Sequence, residues 1–258
     1  PEWFLLNYAK PAKASSFVNG KEPEKAFDEN AKTWWRAADS ESGQWLETDL
    51  ETVMDVRAIQ INFADDALPI DSPGKIQGSE TQPRYIEERD LVTRWKLEGS
   101  LDGAEYFMIE DKSNADTDLP HDLVIRDEGM QVRYLRLTIV EIPYHADPCI
   151  SGLRVFGKGA GDKPVPPKYN AVKSEDELDL LVSIEETADA IGYNILWGHE
   201  EEKLYHSYQI YRNPESVQKA VKHQVEKRIG ALVKGQEYFV RVDSYNENGI
   251  THGVVKKV

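Results

Sequence analysis

Two adjacent tryptophans, Trp34 and Trp35, are the residues of this sequence best suited to contact a ligand. Neighbouring side chains on an extended segment point to opposite sides, so one ring is expected inside its domain and the other at the surface. A flat indole at the surface can cover the apolar face of a pyranose ring and leave the sugar hydroxyls free for hydrogen bonds. One ring is therefore predicted in the core, and the outward ring is the candidate to stack on a sugar. The alternative for the outward ring is packing on its own domain.

Further aromatic rings and planar donors occur in or beside segments that read as loops. A neutral sugar is recognised by stacking, which supplies contact area, and by directed hydrogen bonds from Arg or His to vicinal hydroxyls. The segment from Asp65 to Asp90 is rich in Pro, Gly and charge and is longer than a structural turn requires, as functional or disordered loops are. The residues predicted to bind carbohydrate together with Trp34 are Arg36, Arg84, Tyr85, Tyr144 and His145.

No group of residues in the sequence has the pattern of an active site. The acidic runs Glu87–Glu88 and Glu200–Glu202 are expected on surface turns, which do not provide the partial burial that separates the pKa values of an acid and a base. Ser72 and Lys75 have the spacing of a Ser-x-x-Lys motif, but the Pro-Gly between them cannot form the helix that this motif needs. Cys149 is the single cysteine and is expected to be a small buried hydrophobe.

The charge of the chain excludes several classes of partner. The 258 residues carry 46 acidic and 31 basic side chains, for a net charge of -15, which repels nucleic-acid phosphates and anionic lipid headgroups. The six histidines show no metal-ligand spacing. The chain begins at Pro1 without a signal-like segment and lacks Asn-x-Ser/Thr sequons, so we interpret it as part of a longer, extracytoplasmic protein of bacterial origin.

Alternating apolar and polar residues predict an all-β protein of two domains. The alternation is clear at Ile59–Phe63, at Leu135–Ile139 and, in the C-terminal part, at Leu178–Ile184. Between the two parts, a glycine-rich stretch passes into a proline-rich one, as linkers do. The predicted boundaries are 1–158 for the first domain, 159–167 for the linker and 168–258 for the second domain.

Five blocks of the first domain, in order, resemble coagulation-factor type C, or discoidin, domains. The bacterial branch of that family is carbohydrate-binding module family 32. The resemblance therefore implies a jelly-roll β-sandwich that presents a sugar site on loops at one end. It also implies that Trp35 is the core tryptophan, which leaves Trp34 as the outward ring that stacks on a sugar. The blocks are Asn7–Ser16 with Pro23–Trp35, Gly43–Leu50, Trp95–Gly103, Arg133–Leu137 and Ile150–Gly157.

The second domain resembles a fibronectin type III sandwich. Leu232, Gly235 and Tyr238 have the spacing of a tyrosine corner, although Ile184 stands about where the usual tryptophan would fall and Trp197 is the candidate to fill that space. Together, the two domains look like the region C-terminal to the catalytic domain of some family 43 glycoside hydrolases, which are xylosidases and arabinofuranosidases.

The discoidin resemblance also implies a calcium ion. Asp28, Asn30 and Thr33 fall where related domains fold a loop around Ca²⁺ with backbone carbonyls, a carboxylate and a hydroxyl, and oxygen ligands suit this hard cation. Gly152 stands where the family often supplies a glutamate ligand. The alternative is an Asx turn in which Asp28 and Thr33 bond only local backbone.

The residues and the resemblance together predict a non-catalytic, carbohydrate-binding region of a glycoside hydrolase that acts on plant-type polysaccharide. The alternative is a structural brace that packs against the catalytic domain without touching sugar, through a broad apolar patch. A phospholipid-binding role, as in animal members of the family, is disfavoured by the net charge of -15.

Overall fold

The computed structural model describes residues 3–68 and 91–258, which form an almost entirely β protein with two compact units. The first unit is Lys10–Phe156, and the C-terminal unit combines Pro1–Ala9 with Gly157–Val258. The prediction of an all-β fold is confirmed. No helix among the described residues has the length and apolar character needed to cross a lipid bilayer.

The first unit is built around two long antiparallel strands, β4 (Trp45–Phe63) and β7 (His121–Glu141). They pair from Trp45 opposite Thr138 to Asn62 opposite His121. Register shifts between Asp49 and Met54 break this ladder, as β-bulges do where a strand bends. The strands lie in the order β8-β4-β7-β5-β6, with β2 on β4 and β3 on β8. Their bounds are β2 Ala12–Ala14, β3 Trp35–Arg36, β4 Trp45–Phe63, β5 Arg94–Ser100, β6 Tyr106–Asp111, β7 His121–Glu141 and β8 Cys149–Lys158.

The core of this unit follows the predicted alternation. Ile59 and Ile61 are fully buried, while the intervening Gln60 is only partly buried. The same pattern buries Trp95 with Leu97, and Leu135 with Leu137, because alternate residues of a strand share one face of the sheet. Two 3₁₀ turns, Pro23–Ala26 and Pro143–His145, lie in the loops.

The other unit has a three-stranded sheet, β13-β10-β9, and a second sheet in the order β12-β11-β14-β15, with β16 also on β14. Its core cluster is formed by the inward residues of both sheets, including Ile184, with Trp197 packed against it. The elements are β1 Phe4–Leu5, β9 Lys168–Lys173, β10 Leu180–Glu185, β11 Gly192–Gly198, β12 His206–Tyr211, α1 Pro214–Gln218, β13 Gln224–Ile229, β14 Phe239–Asn246, β15 Gly249–Thr251 and β16 Lys256–Lys257.

Tyr238 makes the hydrogen bond expected of a tyrosine corner. Its hydroxyl accepts a hydrogen bond from the backbone N–H of Val233 at 2.9 Å, and its side chain is buried. Gly235 has a φ of 78°, a left-handed conformation that glycine adopts without strain. The prediction of this local geometry is confirmed.

The segment before Lys10 contributes to the C-terminal unit. Tyr8 is buried, and its ring centroid lies 4.6 Å from that of Tyr211. The Tyr8 hydroxyl donates to the carbonyl oxygen of Arg212 at 2.5 Å, and the Gln218 side-chain amide donates to the carbonyl of Ala9 at 3.1 Å. This unit is therefore assembled from two stretches that are far apart in sequence.

Candidate functional site

The candidate site lies at the end of the first unit where several loops open together. Four segments lie close together here: Phe63–Asp65 at the end of β4, Thr93 before β5, Asp118–Pro120 between β6 and β7, and Ile142–Pro143 after β7. These four segments line a small cavity of about 40 Å³ together with Cys149. A rigid set of strands thus carries a cluster of irregular segments, which is a common arrangement for a binding site.

Trp34 is half-buried at this end and has a fixed orientation. Its indole N–H donates to a carboxylate oxygen of Asp66 at 2.9 Å, and the Lys21 ammonium lies 3.3 Å from the centroid of its ring. The second contact is a cation–π interaction. Trp35, in contrast, is fully buried, and its indole N–H donates to the carbonyl of Ser16 at 2.9 Å. The prediction for Trp35 is confirmed.

Arg36 connects Trp34 to the segment after β7. Its Nε and NH2 groups donate to one carboxylate oxygen of Asp147 at 3.1 and 2.7 Å, while NH1 lies 3.7 Å from the Asp66 oxygen that accepts the Trp34 bond. The hydrogen bond to Asp147 raises the pKa of the Arg36 guanidinium above its ordinary value. This cation is therefore positioned by two carboxylates rather than free in solvent.

Tyr144 and His145 belong to the same segment as Asp147. Both residues have left-handed backbone conformations, with φ of 63° and 53°, which are uncommon for residues other than glycine and cost conformational energy. Tyr144 is half-buried, whereas His145 is exposed and lines a surface cavity of about 310 Å³. The turn Pro143–His145 carries these two residues and ends two residues before Asp147, whose carboxylate holds Arg36.

The structure thus connects two of the six predicted carbohydrate-binding residues, Trp34 and Arg36, through Asp66, while Tyr144 and His145 precede Asp147 in the chain. Arg84 and Tyr85 lie outside the described residues. Sequence reasoning did not single out Lys21, Asp66 or Asp147, which orient the predicted residues. A single acidic residue in a loop carries no local pattern that would have identified it.

The predicted calcium ligands form one compact loop. The Thr33 hydroxyl donates to Asp28 Oδ2 at 2.7 Å and lies 2.9 Å from the Asn30 carbonyl oxygen and 3.5 Å from that of Lys25. The Asn30 N–H donates to Asp28 Oδ1 at 2.9 Å, which is an Asx turn. Counting the Thr33 hydroxyl, four oxygens of the type that Ca²⁺ prefers therefore lie close together, of the six to eight that the ion takes.

The space around Gly152, where the family often supplies a glutamate ligand, is filled by other side chains. A Cβ at Gly152 would lie 2.9 Å from the side-chain nitrogen of Asn62, so that space is already occupied. The neighbouring carboxylate of Glu29 is held by Arg154 through two hydrogen bonds of 2.8 Å. Asp28 is therefore the one carboxylate of the predicted set.

Cys149 does not have the environment of a nucleophile. It is buried and makes no disulfide, and burial raises the pKa of its thiol to about 12, so the thiol stays protonated at neutral pH. The acidic run Glu200–Glu202 lies on an exposed turn, and Glu200 pairs with Lys203 at 2.7 Å. Within residues 3–68 and 91–258, no three His, Cys, Asp or Glu side chains are grouped so that they could hold a metal ion.

Comparison with solved structures finds carbohydrate-binding modules. The chitosan-binding module 1 of a chitosanase/glucanase from Paenibacillus sp. IK-5 is 17% identical with a TM-score of 0.45, over 60% of this chain and 99% of that one. A family 32 module of Clostridium perfringens NanJ, in complex with galactose, is 15% identical with a TM-score of 0.43, over 60% and 100% of the two chains.

A further C. perfringens module, CBM32-4, was solved in complex with GlcNAc-α-1,4-galactose and is 12% identical with a TM-score of 0.45, over 60% of this chain and 95% of that one. A search of curated proteins gives no significant match. At the level of sequence families, residues 11–72, which include Asp28, Trp34, Arg36 and Asp66, match the F5/8 type C domain.

Proposed function

We propose that this chain is a non-catalytic carbohydrate-binding region. The observation that carries the proposal is the position of Trp34, a half-buried ring oriented by Lys21 and Asp66 within the segment that matches the F5/8 type C domain. Arg36 is a planar donor next to the same carboxylate. An oriented ring and an oriented donor are what a neutral sugar needs for stacking and for directed hydrogen bonds.

The proposal also includes the class of glycan, the parent enzyme and the assignment of the two domains. The glycan is of plant type, and the chain acts as an ancillary part of a bacterial, extracytoplasmic glycoside hydrolase whose catalytic domain lies elsewhere. In it, residues 1–158 are the discoidin-like module, 159–167 the linker and 168–258 a fibronectin type III-like module. Two observations support the last assignment: the two antiparallel sheets of the C-terminal unit and the Tyr238 hydrogen bond.

Trp34→Ala is expected to weaken glycan binding about 5- to 150-fold, because loss of a stacking anchor typically costs about 1–3 kcal/mol. A shallow site with one ring binds weakly, so the Kd of the native chain is expected on the order of 0.1 to 1 mM. The measurement is calorimetric titration with oligosaccharides of xylan and arabinan and with galactose-containing oligosaccharides.

Tyr205→Ala is the matched control, because Tyr205 is an aromatic residue of the other unit and is 73% exposed. Its removal is expected to leave the affinity unchanged. Flat titrations with every glycan, or an equal loss in both variants, would contradict the proposal.

One observation favours the structural brace as a second candidate. Four apolar side chains on β6 and β7 are 42–53% exposed: Phe107, Met108, Leu123 and Ile125. Several exposed apolar side chains on strands of one sheet are typical of surfaces that pack against another domain. Flat titrations, combined with a gain in stability when the chain is joined to a catalytic domain, would favour this role.

We also propose that the loop of Asp28, Asn30 and Thr33 holds a structural Ca²⁺, with the Lys25 carbonyl as a fourth ligand. Since Asp28 supplies the one carboxylate, the expected Kd is on the order of 0.1 to 1 mM, as in extracellular modules. Adding about 10 mM CaCl₂ is then expected to stabilise the first unit by about 1.5–2.7 kcal/mol, because an ion that binds only the folded state raises its stability.

Thermal unfolding in CaCl₂ and in EDTA measures this effect. Asp28→Asn should remove the difference between the two conditions, whereas Asp102→Asn, a carboxylate of an exposed hairpin turn, should keep it. Identical melting curves for the native chain in Ca²⁺ and EDTA would show that the Asx turn needs no ion.

A further inference from the structure

The C-terminal unit contains a cavity that the proposed sugar site does not use. Its volume is about 370 Å³, and it lies between the chain before β9 and the segment after β10. Glu186 and Thr187 line it, and two lysines, Lys168 and Lys222, stand at its edge. This volume is at the small end of the range for ligand pockets, which suits a single sugar-sized molecule.

Glu186 in the wall of this cavity is buried but only partly bonded. Its side chain is 4% exposed, and its Oε2 accepts the His223 backbone N–H at 3.0 Å and lies 3.2 Å from the Arg212 guanidinium. The other carboxylate oxygen, Oε1, accepts no hydrogen bond from any residue that the structure describes. Oε1 is not one of the enclosed side-chain atoms without a partner, so it is accessible and can accept a hydrogen bond from a molecule in the cavity.

Thr187 adds a second polar atom without a partner to the same wall. Its hydroxyl is buried and makes no hydrogen bond with the described residues, whereas its backbone N–H donates to the Tyr193 hydroxyl at 2.7 Å. A hydroxyl can both donate and accept. One acceptor oxygen and one hydroxyl on adjacent residues suit a ligand that carries hydroxyl groups of its own.

The charges around the cavity balance. Glu185, Glu186 and Asp189 supply three carboxylates, and Lys168 and Lys222 together with Arg212, which pairs with Glu186, supply three cations. Such a set gives no net preference for a cation or an anion, because it carries equal numbers of both signs. A neutral molecule with several hydroxyls satisfies the open oxygen without adding charge.

We propose that this cavity is a second binding site, for a neutral polyol of monosaccharide size. Glu186 Oε1 accepts hydrogen bonds from its hydroxyls, and the Thr187 side chain turns its hydroxyl towards it. This site is in the C-terminal unit and does not involve Trp34. It can therefore be tested separately from the function proposed above. A ligand of about a dozen heavy atoms at this depth binds with a Kd on the order of 1–10 mM.

Nuclear magnetic resonance of the complete ¹⁵N-labelled chain tests the proposal. Titration with D-xylose and with D-galactose should shift the amide signals of Thr187 and His223 in a saturable way. The Trp34 indole N–H signal reports the other site in the same spectra. Sodium acetate and ammonium chloride, at the same concentrations, serve as an anion and a cation that should leave the Thr187 and His223 signals in place.

Thr187→Val is the decisive variant, because it removes a hydroxyl that has no partner in the ligand-free chain and so should not lower stability. It should weaken sugar binding at the cavity about 3- to 10-fold, as loss of one hydrogen bond does, and leave the titration of Trp34 unchanged. Thr48→Val is the matched control, since Thr48 also has a buried hydroxyl without a hydrogen bond but lies in the other unit.

The titrations distinguish a second binding site from its absence. Saturable shifts at Thr187 and His223 that weaken in Thr187→Val support the second site, whatever the Trp34 signal does. The absence of shifts there with either sugar, or shifts with the two salts instead, overturns it. The native-chain titration alone decides the question if the variant does not fold.

Discussion

Arg212→Met is expected to lower the free energy of unfolding of the C-terminal unit by about 3–5 kcal/mol, because it leaves a buried carboxylate without its cation. The Arg212 side chain is fully buried. Its NH1 group donates to the carbonyl of Ala190 at 2.7 Å and its NH2 group to that of Val221 at 2.5 Å. The 3.2 Å contact between Nε and Glu186 is an ion pair without hydrogen-bond geometry. Methionine keeps the apolar stem and removes all three polar contacts.

Native-state hydrogen exchange resolves this effect by unit. Amides of β10, β11 and β14 should lose protection in Arg212→Met, while those of β4 and β7 should keep theirs. The double variant Arg212→Met with Glu186→Leu should recover most of the loss, since replacing both members of a buried pair by apolar residues is often neutral. Equal stability of the single variant and the native chain would show that solvent reaches Glu186 and compensates for the missing cation.

Trp35→Ala should destabilise the first unit by a similar amount, about 3–5 kcal/mol, through the cavity left by a fully buried indole. The substitution also removes the donor that satisfies the carbonyl of Ser16. Chemical denaturation followed by circular dichroism, with hydrogen exchange of β3, β4 and β8, measures the loss.

Trp34→Ala is the natural comparison, because the two side chains are neighbours of equal size. It should cost under about 1 kcal/mol of stability, since Trp34 is half-buried and its contacts are at the surface. If both variants lost equal stability, Trp34 would be a structural residue, and the proposed role in binding would lose its main support.

The sequence predicts the local features of this fold well. Alternation places Ile59 and Ile61 in the core, and both are fully buried, because the two-residue period of a strand depends only on neighbouring residues. The resemblance to discoidin domains, rather than alternation, assigns Trp35 to the interior, and Trp35 is fully buried. The Tyr238 hydrogen bond to Val233 spans five residues and belongs to the same class of short-range geometry.

Contacts between distant segments could not be predicted in this way. Trp34 meets Asp66 across 32 residues, and Arg36 meets Asp147 across 111, so no window of the sequence contains both partners. The buried ion pair of Arg212 and Glu186 could not be predicted either, because each residue alone has the pattern of a surface charge. The candidate calcium loop lies between these cases, since its residues are close in sequence and its geometry follows from local turns.

The contribution of residues 4–9 to the C-terminal unit imposes an order on synthesis. Tyr8 leaves the ribosome 204 residues before Arg212, the residue whose carbonyl it bonds. The intervening stretch, Lys10–Phe156, has its own core and can fold first, whereas the early segment must wait unpaired until Arg212 has been synthesised. Folding of the C-terminal unit is therefore expected to follow that of Lys10–Phe156.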